Sequence, residues 1–186
     1  MKISAIILAG GKSSRMGTHK GGLMLDGATF TDIIASELMK ITPDLLFSCT
    51  EKTENVPNNC TKVYDIYENC GPMGGLHAAL KSCNADVILV SACDTPLIKA
   101  ELYQLLLDNL GDHDGIVAVS DGRHHPLTAV YRKNMADIFE KYLKEGNYRL
   151  MRALDEADTV YFDLPSDMAD MVKNINTPED YEKIKA

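Results

Sequence analysis

Before its first carboxylate at Asp26, the chain places four basic or potentially basic side chains within nine positions: Lys12, Arg15, His19 and Lys20, in the stretch LAGGKSSRMGTHK (8–20). Gly10 and Gly11 follow directly on an apolar run. Glycine has no Cβ and accepts positive φ, so backbone amides there can close on phosphate oxygens. Cations gathered behind such a turn suit the charge that builds up on a triphosphate or a leaving pyrophosphate. A solvated basic turn is the plainer alternative. The spacing matches neither G-x-x-x-x-G-K-[ST] nor G-x-G-x-x-G, which sets aside an ordinary P-loop or dinucleotide site.

Two later acidic residues stand in comparable places. Asp94, in CDTP (93–96), follows the apolar run DVILVSA (86–92). A carboxylate there is suited to hold Mg²⁺ together with phosphate oxygens, or to cap its own loop as an Asx turn. Asp65, at the end of VYD (63–65), has the same geometry. The segment Gly71-Pro72-Met73-Gly74-Gly75 opens a helix whose N-terminus favours an anion; its glycines serve equally well for close packing. The neighbours His124 and His125 diverge on an extended chain and do not share a metal, so they read as loop residues, with contact to substrate as the alternative. Thr177-Pro178-Glu179-Asp180 is a helix start with a threonine cap. Capping does not account for Asn174 and Asn176 just before it. Ser13 and Ser14 have no local base and no nucleophile elbow, which leaves covalent catalysis without support.

These groups need a scaffold that brings distant segments together. Strands are expected over 3–8, 45–49, 62–65, 86–92, 115–120, 127–131 and 159–162, and helices over 29–41, 72–83, 99–110, 134–144, 149–157 and from 177 to the end. Strand and helix alternate without linker, repeat or low-complexity segment. That pattern predicts an α/β three-layer sandwich, Rossmann-like, with a mostly parallel sheet and helices on both faces, as one domain over 1–186. In such sheets ligands bind beyond the carboxyl ends of the strands, which is where the Gly10 turn, Asp65 and Asp94 fall.

The whole-chain properties narrow the partners. At 186 residues, 45% hydrophobic and 25% charged, the chain has the balance of a soluble domain with a full core. Its net charge of −8 argues against a broad nucleic-acid or anionic-membrane surface. No stretch reaches the roughly 18 apolar residues of a transmembrane helix. The five cysteines are odd in number and never in a C-x-x-C pair, so they suggest neither a disulfide framework nor a zinc ribbon and fit a reducing cytoplasm. The nine scattered methionines read as core filling.

Five motifs and one lysine together resemble the molybdenum cofactor guanylyltransferase family: L-A-G-G-x-S-x-R-M-G (8–17), Lys20, V-x-D (63–65), G-P-x-x-G-L (71–76), C-D-T-P (93–96) and N-x-N-T-P-E (174–179), in matching order over essentially the whole chain. The resemblance implies that the terminal phosphate of molybdopterin carrying molybdenum attacks the α-phosphorus of GTP and releases pyrophosphate, with Mg²⁺ as cofactor. It implies that Leu8, Ala9, Gly10 and Gly11 form the GTP-binding turn, with Lys20 on the phosphates, Asp65 on the nucleoside, and Asp94 on Mg²⁺ and nucleotide together. Arg15 would stabilise the pyrophosphate. Asn174 and Asn176 would face the pterin, and Arg149 aligns loosely with a basic position of that half. Transient contact with other molybdenum cofactor biosynthesis proteins is a further implication. The loop before Lys20 is a residue shorter than in some relatives. Cytidylyl-transferring cousins show L-A-A-G, and Gly10 in place of that alanine leaves space for a purine. The alternatives are a related cytidylyltransferase or sugar-phosphate nucleotidyltransferase, and a non-catalytic nucleotide-binding relative; the presence of Arg15, Lys20 and Asp94 together argues against the last.

Overall fold

Ile3–Leu8 (β1) is an apolar run buried from Ser4 onward, and its side chains alternate between two separate cores. Ala5 and Ile7 join one cluster, while Ile6 and Leu8 join the other. Successive strand residues point to opposite faces, so a strand apolar on both sides must be covered on both sides. Leu45–Cys49 (β4) and Val87–Ala92 (β6) are buried throughout and flank β1 in parallel. The computed structural model describes residues 1–9, 23–50, 53 and 56–185.

In chain order the small strands Met24–Leu25 (β2) and Ala28–Thr29 (β3) come between β1 and the first helix, and Thr61–Tyr64 (β5) follows β4. Gly115–Ser120 (β7), Arg123–Arg132 (β8) and Thr159–Asp163 (β9) complete the strands among the described residues. The main sheet has seven strands in the order β5-β4-β1-β6-β8-β7-β9. Only β8 runs against its neighbours; the β1–β4, β1–β6, β4–β5 and β7–β9 pairs are parallel.

Phe30–Leu38 (α1) and Ala100–Asn109 (α3) cover one face through Ile34, Leu38, Leu102 and Leu106. Pro72–Ser82 (α2), Met135–Lys144 (α4) and Leu150–Glu156 (α5) cover the other through Leu76, Phe139 and Leu154. The result is the three-layer α/β arrangement expected from the alternating pattern. Each fully buried Leu or Ile in these layers contributes roughly 1.5–3 kcal/mol. The carboxylate of Glu37 on α1 accepts the Ala100 amide at 3.0 Å and so caps α3, whose own N-cap, Lys99, makes no side-chain cap bond.

Several local expectations change. The strand placed at 62–65 spans Thr61–Tyr64, leaving Asp65 just past its end. The helix placed at 29–41 is Phe30–Leu38, with Thr29 outside it as N-cap: its hydroxyl accepts the Asp32 amide at 3.1 Å. The most consequential correction concerns His124 and His125. They are strand residues, because β8 begins at Arg123. The connection before it is the two-residue turn Asp121–Gly122, with φ of 51° and 70°, a positive pair that closes a tight hairpin. The 3₁₀ turn Ser166–Val172 leads to the closing helix Pro178–Lys185 (α6). Helix α6 and Ile175 pack with Leu25 and Phe30 in a small third cluster.

Candidate active site

The chain steps outward from β1 to β4 and β5, then returns to lay β6 on the other side of β1. A crevice opens beyond the carboxyl ends at such a reversal, and the end of β1 and the turn that leaves β6 are joined there. The Cys93 amide donates to the Leu8 carbonyl at 3.1 Å. Thr95, nearly fully buried, holds the β6 turn by donating its hydroxyl to the Ala92 carbonyl at 2.9 Å. Leu8 and Ala9 therefore end against the segment that carries Asp94. Gly10, Gly11, Arg15 and Lys20, expected on the phosphates, lie outside the described residues.

With Thr95 closing the turn, the Asp94 carboxylate reaches a partner 80 residues away: Asn174 Nδ2 donates to Asp94 Oδ1 at 2.9 Å. The Ile175 amide donates to the Asp94 carbonyl at 2.8 Å. Two bonds thus fasten the segment before α6 to the end of β6. Asn176 sits next along, its amide donating to Asp180 Oδ2 at 3.2 Å. Asp180 also accepts the Thr177 amide at 3.0 Å while Thr177 Oγ1 accepts the Asp180 amide at 3.1 Å, the reciprocal bonds of a helix start.

Asp65 lies against the N-terminus of α2. Its Oδ1 is buried with no hydrogen-bond partner among the described residues. Burial first, and the charge of Glu68 second, push its pKa up. Two glycines make room for it: a Cβ on Gly74 would stand 2.8 Å from the Tyr67 carbonyl and 3.1 Å from Asp65 Oδ2, and one on Gly75 would stand 2.9 Å from Leu8 Cδ2. Packing therefore requires both glycines, and the space they leave belongs to the carboxylate. An acceptor oxygen buried beside a helix N-terminus calls for an N–H or O–H donor.

Beside Asn174 the surface opens into a cavity of about 700 Å³ and a smaller one of about 160 Å³. Arg123, His125 and Asn174 line both. Asn176 lines the larger. Arg149, exposed at the N-cap of α5, lines neither. Sequence reasoning passed over Arg123 and assigned His125 to a loop; the Asp-Gly pair before them was the signal that places both on a hairpin strand. Among the described residues, no group of three or more His, Cys, Asp or Glu is arranged to hold a metal. The donor set at Asp94 is one carboxylate, held by Asn174, whose side chain also lines both cavities. Mg²⁺ is commonly held by one or two carboxylates with substrate phosphates and water, so this set fits it. An ionised carboxylate has four lone-pair sites, which makes the Asn174 bond compatible with a metal bond.

Residues 5–160 match the MobA-like NTP transferase domain. The chain belongs to that family. As a MobA-like NTP transferase it is a nucleotidyltransferase, and its likeness to known members extends over nearly its full length. It is 31% identical to a probable molybdenum cofactor guanylyltransferase of Carboxydothermus hydrogenoformans, over 98% of this chain and 94% of that protein. It is 29% identical to a molybdenum cofactor guanylyltransferase of Desulfosudis oleivorans, over 99% and 95%. The crystal structure of a molybdopterin-guanine dinucleotide biosynthesis protein A from Archaeoglobus fulgidus superposes with a TM-score of 0.82 at 22% identity, covering 98% of this chain and 96% of that one. Among the described residues no helix is long and apolar enough to cross a membrane.

Proposed function

We propose that this nucleotidyltransferase moves GMP from GTP to the terminal phosphate of molybdopterin carrying molybdenum, in the cytoplasm. The observation that carries the reading is the Asp94–Asn174 bond, which fastens the N-x-N-T-P-E segment to the carboxyl end of β6 at the sheet's reversal point. The names of the relatives support the choice of substrates.

In the reaction a phosphate oxygen of the acceptor attacks the α-phosphorus of GTP. A new P–O bond forms as the α–β P–O bond breaks, and pyrophosphate carries away the electron pair. Both reactants are anions, so placing them in line and neutralising charge supply most of the acceleration. The family resemblance would put Gly10, Gly11 and Lys20 on the triphosphate and Arg15 on the charge that grows on the departing pyrophosphate. Asp65 would accept from the nucleoside, the role the family resemblance implies for it. Asp94 would hold Mg²⁺, which when bound neutralises charge on the phosphates. Asn174 fixes the Asp94 carboxylate and, with Asn176, faces the acceptor.

The test is pyrophosphate release with each of the four nucleoside triphosphates, using molybdopterin as acceptor. GTP is expected to support turnover at least tenfold better than the others. A preference for CTP, or release independent of molybdopterin, overturns the reading.

A further inference from the structure

Strand β8 is longer than its partner on one side. It pairs with β6 only through Thr128–Arg132, while its first residues, Arg123 to His125, pair with β7 alone. The register shifts between Val117 and Ala118 of β7, so Pro126 to Thr128 form a bulge. Proline has no amide hydrogen for the ladder and belongs at such a place. The Tyr131 hydroxyl pins the bulge by donating to the Pro126 carbonyl at 2.7 Å. The overhang therefore leaves β6 just where β6 ends and Asp94 follows; the smaller cavity lies in that gap against Ala92 and Thr95, and the larger lies between the overhang and the segment before α6.

The charges of the larger cavity are mostly matched. Lys173 pairs with Asp170 and also feels the charge of Asp121, another carboxylate of the cavity, and Asp180 is bonded to the amides of Asn176 and Thr177 with Lys183 close by. Arg123 differs: no carboxylate among the described residues pairs with its guanidinium, although it lines both cavities. A guanidinium without an internal counter-ion, in a concave wall beside an imidazole and a carboxamide, is a donor set for a phosphate monoester. The imidazole also serves as a neutral partner, because burial first, and then the charges of Arg123 and His124, lower the His125 pKa. A volume near 700 Å³ lies within the range of small-molecule sites.

Resting on the guanylyl-transfer reading, we infer that Arg123 and His125 grip the terminal phosphate of the acceptor, and that the acceptor's ring body fills the larger cavity between the β8 overhang and the segment before α6. These two residues then set acceptor affinity without touching the nucleotide.

The test compares Arg123→Ala, Arg123→Lys and His125→Gln with the parent enzyme in two measurements: calorimetric titration with molybdopterin in the absence of nucleotide, and the KM values for molybdopterin and for GTP. Arg123→Ala is expected to weaken molybdopterin binding at least tenfold and to leave the KM for GTP within twofold; Arg123→Lys recovers part of the loss, and His125→Gln shows a smaller one. Arg123 is exposed, so melting temperatures should be preserved. Were the alanine variant to unfold early, Arg123→Lys carries the same comparison. Unchanged molybdopterin binding, or a rise in the KM for GTP in step with it, overturns the inference. If the parent binds molybdopterin through Arg123 yet transfers no GMP, the guanylyl-transfer reading fails and the phosphate grip stands.

Discussion

Asn174 is the residue whose place decides most. Its amide both orients the Asp94 carboxylate and stands in the wall of the two cavities, linking the proposed donor and acceptor halves through one 2.9 Å bond. A hydrogen bond to a charged group contributes roughly 1.5–3 kcal/mol. Asn174→Ala is therefore expected to cut turnover about 10- to 100-fold and to raise the Mg²⁺ concentration needed for half-maximal rate. Asp94→Asn should cut it further, and chelation with EDTA should silence the parent enzyme; steady-state pyrophosphate release against Mg²⁺ checks all three. Asp94 stood out in the sequence as a carboxylate at the end of a buried strand, although an Asx turn would account for it as well, and Asn174 and Asn176 stood out because they exceed what a helix cap needs. Arg123 was not, since one arginine on an acidic chain carries no signal until the fold shows that no carboxylate among the described residues answers it.

Among elements, the legible ones were those with long apolar patterns: β1, β6 and α3 were readable within a residue or so at either end. The hairpins were missed for a physical reason. Strands β2 and β3 have two residues each, too few for a period to register. Yet both hairpins turn on the same dipeptide, Asp26–Gly27 with φ of 51° and 84° and Asp121–Gly122 with φ of 51° and 70°. An Asp-Gly pair in a positive-φ turn favours this hairpin, and it was the cue to a reversed β8. A side chain on the second of these residues is strained even where space is open, as it is at Gly122. Gly122→Ala should cost about 1–2 kcal/mol, lowering the melting temperature by roughly 2–8 °C. It should also weaken molybdopterin more than GTP, since the turn supports Arg123; calorimetry with each ligand checks the split.

For the molecule as a whole, the alternation of strands and helices made the layered sheet predictable, but no local pattern encodes the seven-strand order, which depends on which faces find each other. The same whole-molecule packing creates an acid sensitivity. His77 on α2 is 1% exposed, and neither ring nitrogen has a hydrogen-bond partner among the described residues. Burial lowers its pKa; of the charged groups around it, Glu140 and Asp137 oppose that shift while Lys81 and Lys144 add to it, and the Tyr67 ring packs edge-on. The unfolded chain then binds the proton more readily than the folded one, so stability falls as pH drops below the ordinary histidine value of 6.5. Glu37 adds a second loss below 4.5. Burial would raise its pKa, but bonds from Lys40 and the Ala100 amide, with the charge of Lys99, bring it lower. His77→Leu should flatten the upper window by up to about 1.4 kcal/mol per pH unit and leave the lower one intact, as urea melts from pH 7.5 to 4 would reveal. The overhang of β8 bears on how such an enzyme diversifies. Since Arg123 to His125 hang from β7 alone, a change at the hairpin tip alters what the acceptor wall recognises while the β1 and β6 turns keep their mutual bond. Descendants of one ancestor could in this way trade acceptors while inheriting an unaltered nucleotide grip.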